Sequence, residues 1–220
     1  MKLFIIPVIL LFVLEAKAQN LKNFVVPKGY QKVSEARGDL DRDGIEETVF
    51  AYNTIKNDSV GLTRELYICK NVNGVLKLWK QNTSILWDSQ DCGFCTDNGV
   101  NLTLKIKNFT LVVEQTFWHS TRHTSIFKNV FRYQNNDWYL IGSTYNDTYN
   151  CGYDHTYDIN FSTKQVQVTY GGEECDDDQP AYKKSQIKFN YPFKTIPKMD
   201  GFVAGKVELS IPNSKKYFYY

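Results

Sequence analysis

Gly38-Asp39-Leu40-Asp41-Arg42-Asp43-Gly44-Ile45-Glu46-Glu47 sets three aspartates two residues apart, a glycine after the third and a carboxylate four positions beyond it. Alternate oxygens on a tight loop of this kind point at one centre, as a hard cation such as calcium requires for its six to eight oxygen ligands. The flanks decide what carries the loop. Thr48-Val49-Phe50-Ala51-Tyr52 alternates and is rich in β-branched and aromatic residues, so the loop leads into a strand. A helical calcium hand would need a carboxylate at the twelfth position, which is Phe50. The loop therefore joins two strands. Its expected ligands are Asp39, Asp41, Asp43, the Ile45 carbonyl and Glu47, and Gly44 permits the sharp turn.

Outward from this point the chain reads as all-β. Helical periodicity is nearly absent after the first residues, and short alternating runs recur with turn residues between them. The first set is 31–36, 47–53, 64–70 and 75–81; the second is 100–107, 110–117, 124–133 and 138–144. A third, less regular set covers 153–161, 165–170 and 184–191, with 206–210 as a possible edge strand. Antiparallel four-stranded meanders are predicted, arranged as part of a propeller-like array or as layered sheets.

Quoted further, Gly38-Asp-Leu-Asp-Arg-Asp-Gly-Ile-Glu-Glu-Thr-Val-Phe resembles the calcium hairpin of FG-GAP and VCBS-type repeats, known from integrin-like β-propellers. Those repeats usually carry aspartate where this chain has Glu47, one methylene longer. The likeness covers about residues 33 to 53, and it implies calcium as the bound ion. A signal, one such loop and the later Phe127 to Gly142 segment are also similar to uncharacterised exported bacterial proteins.

Met1-Lys2, the apolar run Leu3 to Leu14 and the end Ala16-Lys17-Ala18 have the layout of a cleaved secretory signal, with residues 19–220 as a single all-β domain. The apolar run is short for a bilayer crossing, so no membrane span is expected after cleavage. Loss of Lys2, Lys17 and Glu15 lowers the formal charge from +2 to +1. An almost neutral chain with scattered basic residues lacks the field that phosphate backbones demand, and nucleic acid is excluded as a partner.

The five cysteines are an odd number for an exported chain. Cys69 sits inside a strand-like run and reads as a buried thiol. Cys151 and Cys175 are centred on the turn around Thr163 and should face each other across a hairpin; a bridge there would contribute about 3 kcal/mol. Cys92-Gly93-Phe94-Cys95 has redox or half-zinc spacing, but the following Thr96-Asp97-Asn98-Gly99 reads as a turn rather than a helix start, and no second ligand pair follows. A structural disulfide in an acidic loop, or a bridge to another cysteine, is the expectation. The acidic run Glu173 to Asp178 reads as a solvated turn, and the aromatic tail Tyr217 to Tyr220 as docked.

His119 and His123 flank Ser120-Thr121-Arg122 in what reads as a turn between strands. In one extended strand they would stand about 13 Å apart, too far for one ion. An exposed polar turn is expected. The six Asn-x-Ser/Thr triplets at Asn57, Asn82, Asn101, Asn108, Asn146 and Asn160 are unremarkable in an asparagine-rich chain.

The reading that results is a secreted or periplasmic, calcium-stabilised interaction module with a protein or glycan partner and no catalysis of its own. The alternative is an exported enzyme, either a hydrolase working through its acidic loops or a thiol-disulfide oxidoreductase using Cys92 and Cys95.

Overall fold

A computed structural model describes residues 21–95, 101–174 and 182–220. No helix occurs among them, and thirteen strands make up antiparallel sheets of four, seven and two strands. The first sheet is a meander of β1 (Gln31–Gly38), β2 (Glu47–Asp58), β3 (Gly61–Val72) and β4 (Val75–Asn82), as the sequence predicts. The β3–β4 turn uses Asn73 and Gly74, both at positive φ, which is the pairing a two-residue hairpin with right-handed strand twist favours.

The second and third predicted sets are not separate. They form one seven-stranded meander of β5 (Leu102–Lys107), β6 (Thr110–Trp118), β7 (His123–Gln134), β8 (Asp137–Tyr149), β9 (Tyr153–Asn160), β10 (Gln165–Gly172) and β11 (Ser185–Asn190). The reason is β8, which continues five residues beyond Thr144 and pairs on one side with β7 and on the other with β9, so no break falls where the sets were divided. Asn135 and Asn136, again both at positive φ, close the β7–β8 hairpin. The chain end adds β12 (Glu208–Ser210) and β13 (Tyr217–Tyr219) as a small hairpin, with Phe218 fully buried and Tyr220 nearly so, so the aromatic tail docks as expected.

Strand period two explains how the first sheet is buried on both faces. Val49, Ala51, Leu66 and Ile68 face the apolar core shared with the seven-stranded sheet. Their neighbours Phe50, Tyr52, Tyr67 and Cys69 form a second cluster, covered by Phe24 and Tyr30 from the N-terminal segment. Burial pushes the Cys69 thiol up to about 12. Cys69 is therefore expected to resist a thiol label in the native protein at mildly alkaline pH and to react once the chain is unfolded in urea; prompt native labelling would contradict this packing.

Cys92 and Cys95 lie within disulfide distance, their Cα atoms 5.6 Å apart, in agreement with the structural reading of that pair. Cys151 is not a free thiol. Its expected partner Cys175 lies outside the described residues, as do the expected signal segment 1–18, Thr96 to Gly99 and most of the acidic run. No helix among the described residues is long and apolar enough to cross a membrane.

Candidate cation site

The acidic loop spans the gap between β1 and β2, whose ends meet in the pair Gly38↔Glu47. Leu40 is 1% exposed and pins the loop to the core, while the residues on either side of it turn outward. Short side-chain bonds to the backbone hold the turn. Asp39 Oδ1 accepts the Arg42 amide at 2.6 Å and its Oδ2 the Gly44 amide at 3.1 Å; Asp43 Oδ1 accepts the Ile45 amide at 2.7 Å. Arg42 and Gly44 both lie at positive φ, and at Gly44 the space beyond Cα is open, so its backbone angle, not crowding, calls for glycine.

This geometry brings Asp39, Asp41 and Asp43 together, with one carboxylate oxygen from each inside a 4.8 Å group. Glu47 stands behind that group. It is 1% exposed, and its Oε2 accepts the Leu40 amide at 2.7 Å. Burial raises the Glu47 carboxyl to about 7; the Leu40 bond works against that rise, and the charges of Asp41 and Asp43 add to it. Ile45 contributes its amide to Asp43, and its side chain is half exposed.

Lys70 has no counterpart in the sequence motif. It comes from β3, where Thr48 pairs with Cys69, and that register carries its ammonium to the loop. Lys70 donates to Asp41 Oδ2, stands 3.8 Å from Asp43 Oδ2 and lies 4.4 Å from the centre of the Trp79 ring. Burial opposes its charge, but Asp41, Glu47 and Asp43 outweigh that penalty and raise its pKa. One ammonium among four carboxyl groups leaves an uncompensated negative centre. Asp41 Oδ1 is buried and accepts no hydrogen bond, which costs free energy unless a cation takes it. Beside the loop opens a cleft of about 440 Å³ whose wall includes Trp79, Tyr133, Asn71 and Asn73.

A second polar cluster lies on the other sheet, at the turn expected between the two histidines. Residues 119–122 form that turn between β6 and β7: the His119 and Ser120 amides both bond the His123 carbonyl, at 2.9 and 3.3 Å. The two imidazoles consequently stack with centres 4.1 Å apart. Burial, and then the neighbouring His123, lower the pKa of His119. The Ser125 hydroxyl lies between Asp147, to which it donates at 3.0 Å, and His119 Nε2 at 2.8 Å.

No family model, no curated protein and no solved structure matches this chain.

Proposed function

We propose that this chain is an exported all-β binding module, without catalysis of its own, in which a calcium ion held by Asp39, Asp41, Asp43, the Ile45 carbonyl and Glu47 stiffens the first sheet. The observation that carries this reading is the convergence of three carboxylates, one of which, Asp41, keeps a buried and unpartnered Oδ1. Hard oxygen donors without sulfur or imidazole suit calcium, and the likeness of the loop to the FG-GAP and VCBS-type hairpin points to the same ion. The adjoining cleft supports a protein or glycan partner, since Trp79 and Tyr133 offer aromatic surface beside the amides of Asn71 and Asn73. The thiol-disulfide alternative draws less support, because Cys92 is 1% exposed and a redox thiolate must be accessible.

Thermal melting tests the ion. Calcium at a hundredfold excess over its Kd should stabilise the native state by about 2.7 kcal/mol, or roughly 5–10 °C for a domain of this size. EDTA should remove the gain and added calcium restore it. In the Asp41→Ala, Asp43→Ala double variant the melt should no longer respond to calcium. An identical melt in EDTA and in calcium for the unaltered protein would overturn the proposal.

A further inference from the structure

We propose that His119, His123 and Asp147 form a second, chemically different metal site, one that takes a divalent transition ion and is best matched by zinc. One nitrogen from each imidazole and one oxygen of Asp147 already lie within 4.8 Å of one another. Tetrahedral zinc with bonds of about 2.0–2.1 Å needs its ligand atoms about 3.4 Å apart. The two rings now stack 20° from parallel, so metal binding would turn one imidazole until both ring nitrogens face the same point. The donor set of two imidazoles and a carboxylate is one that calcium disfavours and zinc accepts.

The backbone prepares this geometry. In β7, His123 and Ser125 are two residues apart and share a face, and Asp147 of β8 lies directly opposite Ser125. His119 is returned to the same place by the turn that both the His119 and Ser120 amides close on the His123 carbonyl. His123 Nε2 now bonds Asp147 Oδ1 at 2.7 Å, so a metal would replace the proton that bridges them. Outer contacts are also in place. On binding, the metal would displace the Tyr153 hydroxyl, 3.2 Å from His123 Nε2, while Ser125 holds both His119 and Asp147. Such neighbours fix the orientation of metal-binding imidazoles and carboxylates.

Three protein ligands leave a coordination position for water or a small anionic ligand, as in sites that exchange their fourth partner. That position has somewhere to open. His119 and Ser125 line a cleft of about 330 Å³ whose apolar wall includes Trp87, Phe117 and Phe127. This site shares no residue with the acidic loop, and its occupancy does not depend on calcium binding there.

The test is a zinc titration of the untagged, metal-stripped protein in excess calcium, followed by calorimetry. One zinc per chain is expected, and Co²⁺ in its place should give the visible absorption of a tetrahedral nitrogen and oxygen site. His119→Ala, at an exposed position, and Asp147→Asn should each weaken zinc binding at least about tenfold. The Asp41→Ala, Asp43→Ala variant should bind zinc as the unaltered protein does. If Asp147→Asn fails to fold, His119→Ala decides alone. Failure to bind zinc, or zinc bound equally well by His119→Ala with unchanged cobalt absorption, overturns the site.

Discussion

Replacing Trp138 with alanine should lower the stability of the protein by about 3–5 kcal/mol, the range for removing a large buried aromatic. Trp138 is 2% exposed at the start of β8. Its ring lies 5.2 Å from that of Trp79 in β4 and 5.5 Å from that of Tyr133 in β7, so it joins the four-stranded sheet to the seven-stranded one. Trp79 and Tyr133 also touch directly, at 4.5 Å. The loss has two parts: apolar area returned to water and a cavity that two tethered sheets cannot close. Edge-to-face pairs of this kind add about 0.5–1.5 kcal/mol each beyond area. Trp138→Phe should cost much less, because a ring still fills most of the space. Trp79 also carries Lys70 on its face, so the alanine variant should disturb the acidic loop and change its calcium response. Urea unfolding followed by circular dichroism measures the effect, and a loss below about 1 kcal/mol would show that the sheets do not depend on this contact.

What could be read in advance follows from how far apart the interacting residues lie along the chain. Strands β1 to β4 were legible because each is an alternating run bounded by turn residues, and adjacent hairpins need no other information. The acidic loop was legible because all its carboxylates fall within nine residues at fixed spacing. Lys70 was not, since its reach to Asp41 depends on the β2–β3 register, which sets Thr48 against Cys69. The turn between His119 and His123 was legible, but the stacking of its two imidazoles was not, for a related reason. A distance taken along one strand says nothing once the chain reverses, and the reversal is fixed by amides bonding the His123 carbonyl. The merging of two strand sets into a seven-stranded sheet rested on the length of β8, where Tyr145 to Tyr149 continue the pairing through polar residues that resemble a loop in sequence.

Without calcium, stability should fall as pH rises from about 4.5 towards 7, and Glu47 should be responsible for much of that slope. Its carboxyl keeps a proton in the folded state up to about pH 7, chiefly because it is buried. An unfolded chain releases that proton at the ordinary glutamate value, near 4.5. Between these limits the native state holds more protons than the unfolded state, so raising the pH favours unfolding, and above about 7 the contribution levels off. The full shift corresponds to on the order of 3 kcal/mol, reduced towards 2 by water in the adjoining cleft. Calcium reverses the sign of the demand, because only the ionised carboxylate serves as a ligand. Calcium should therefore bind more tightly as pH rises through 7 and stabilise more at pH 8 than at pH 5. Glu47→Gln separates the two effects. In EDTA it should flatten the pH dependence and leave the protein at pH 8 at least as stable as the unaltered chain, while weakening calcium binding. Asp88, raised to about 6 by burial and by Asp58, contributes in the same window, so Asp88→Asn is the necessary control. If urea unfolding in EDTA gives the same slope with and without Glu47→Gln, the buried carboxyl is not the titrating group and the electrostatic account of the loop fails.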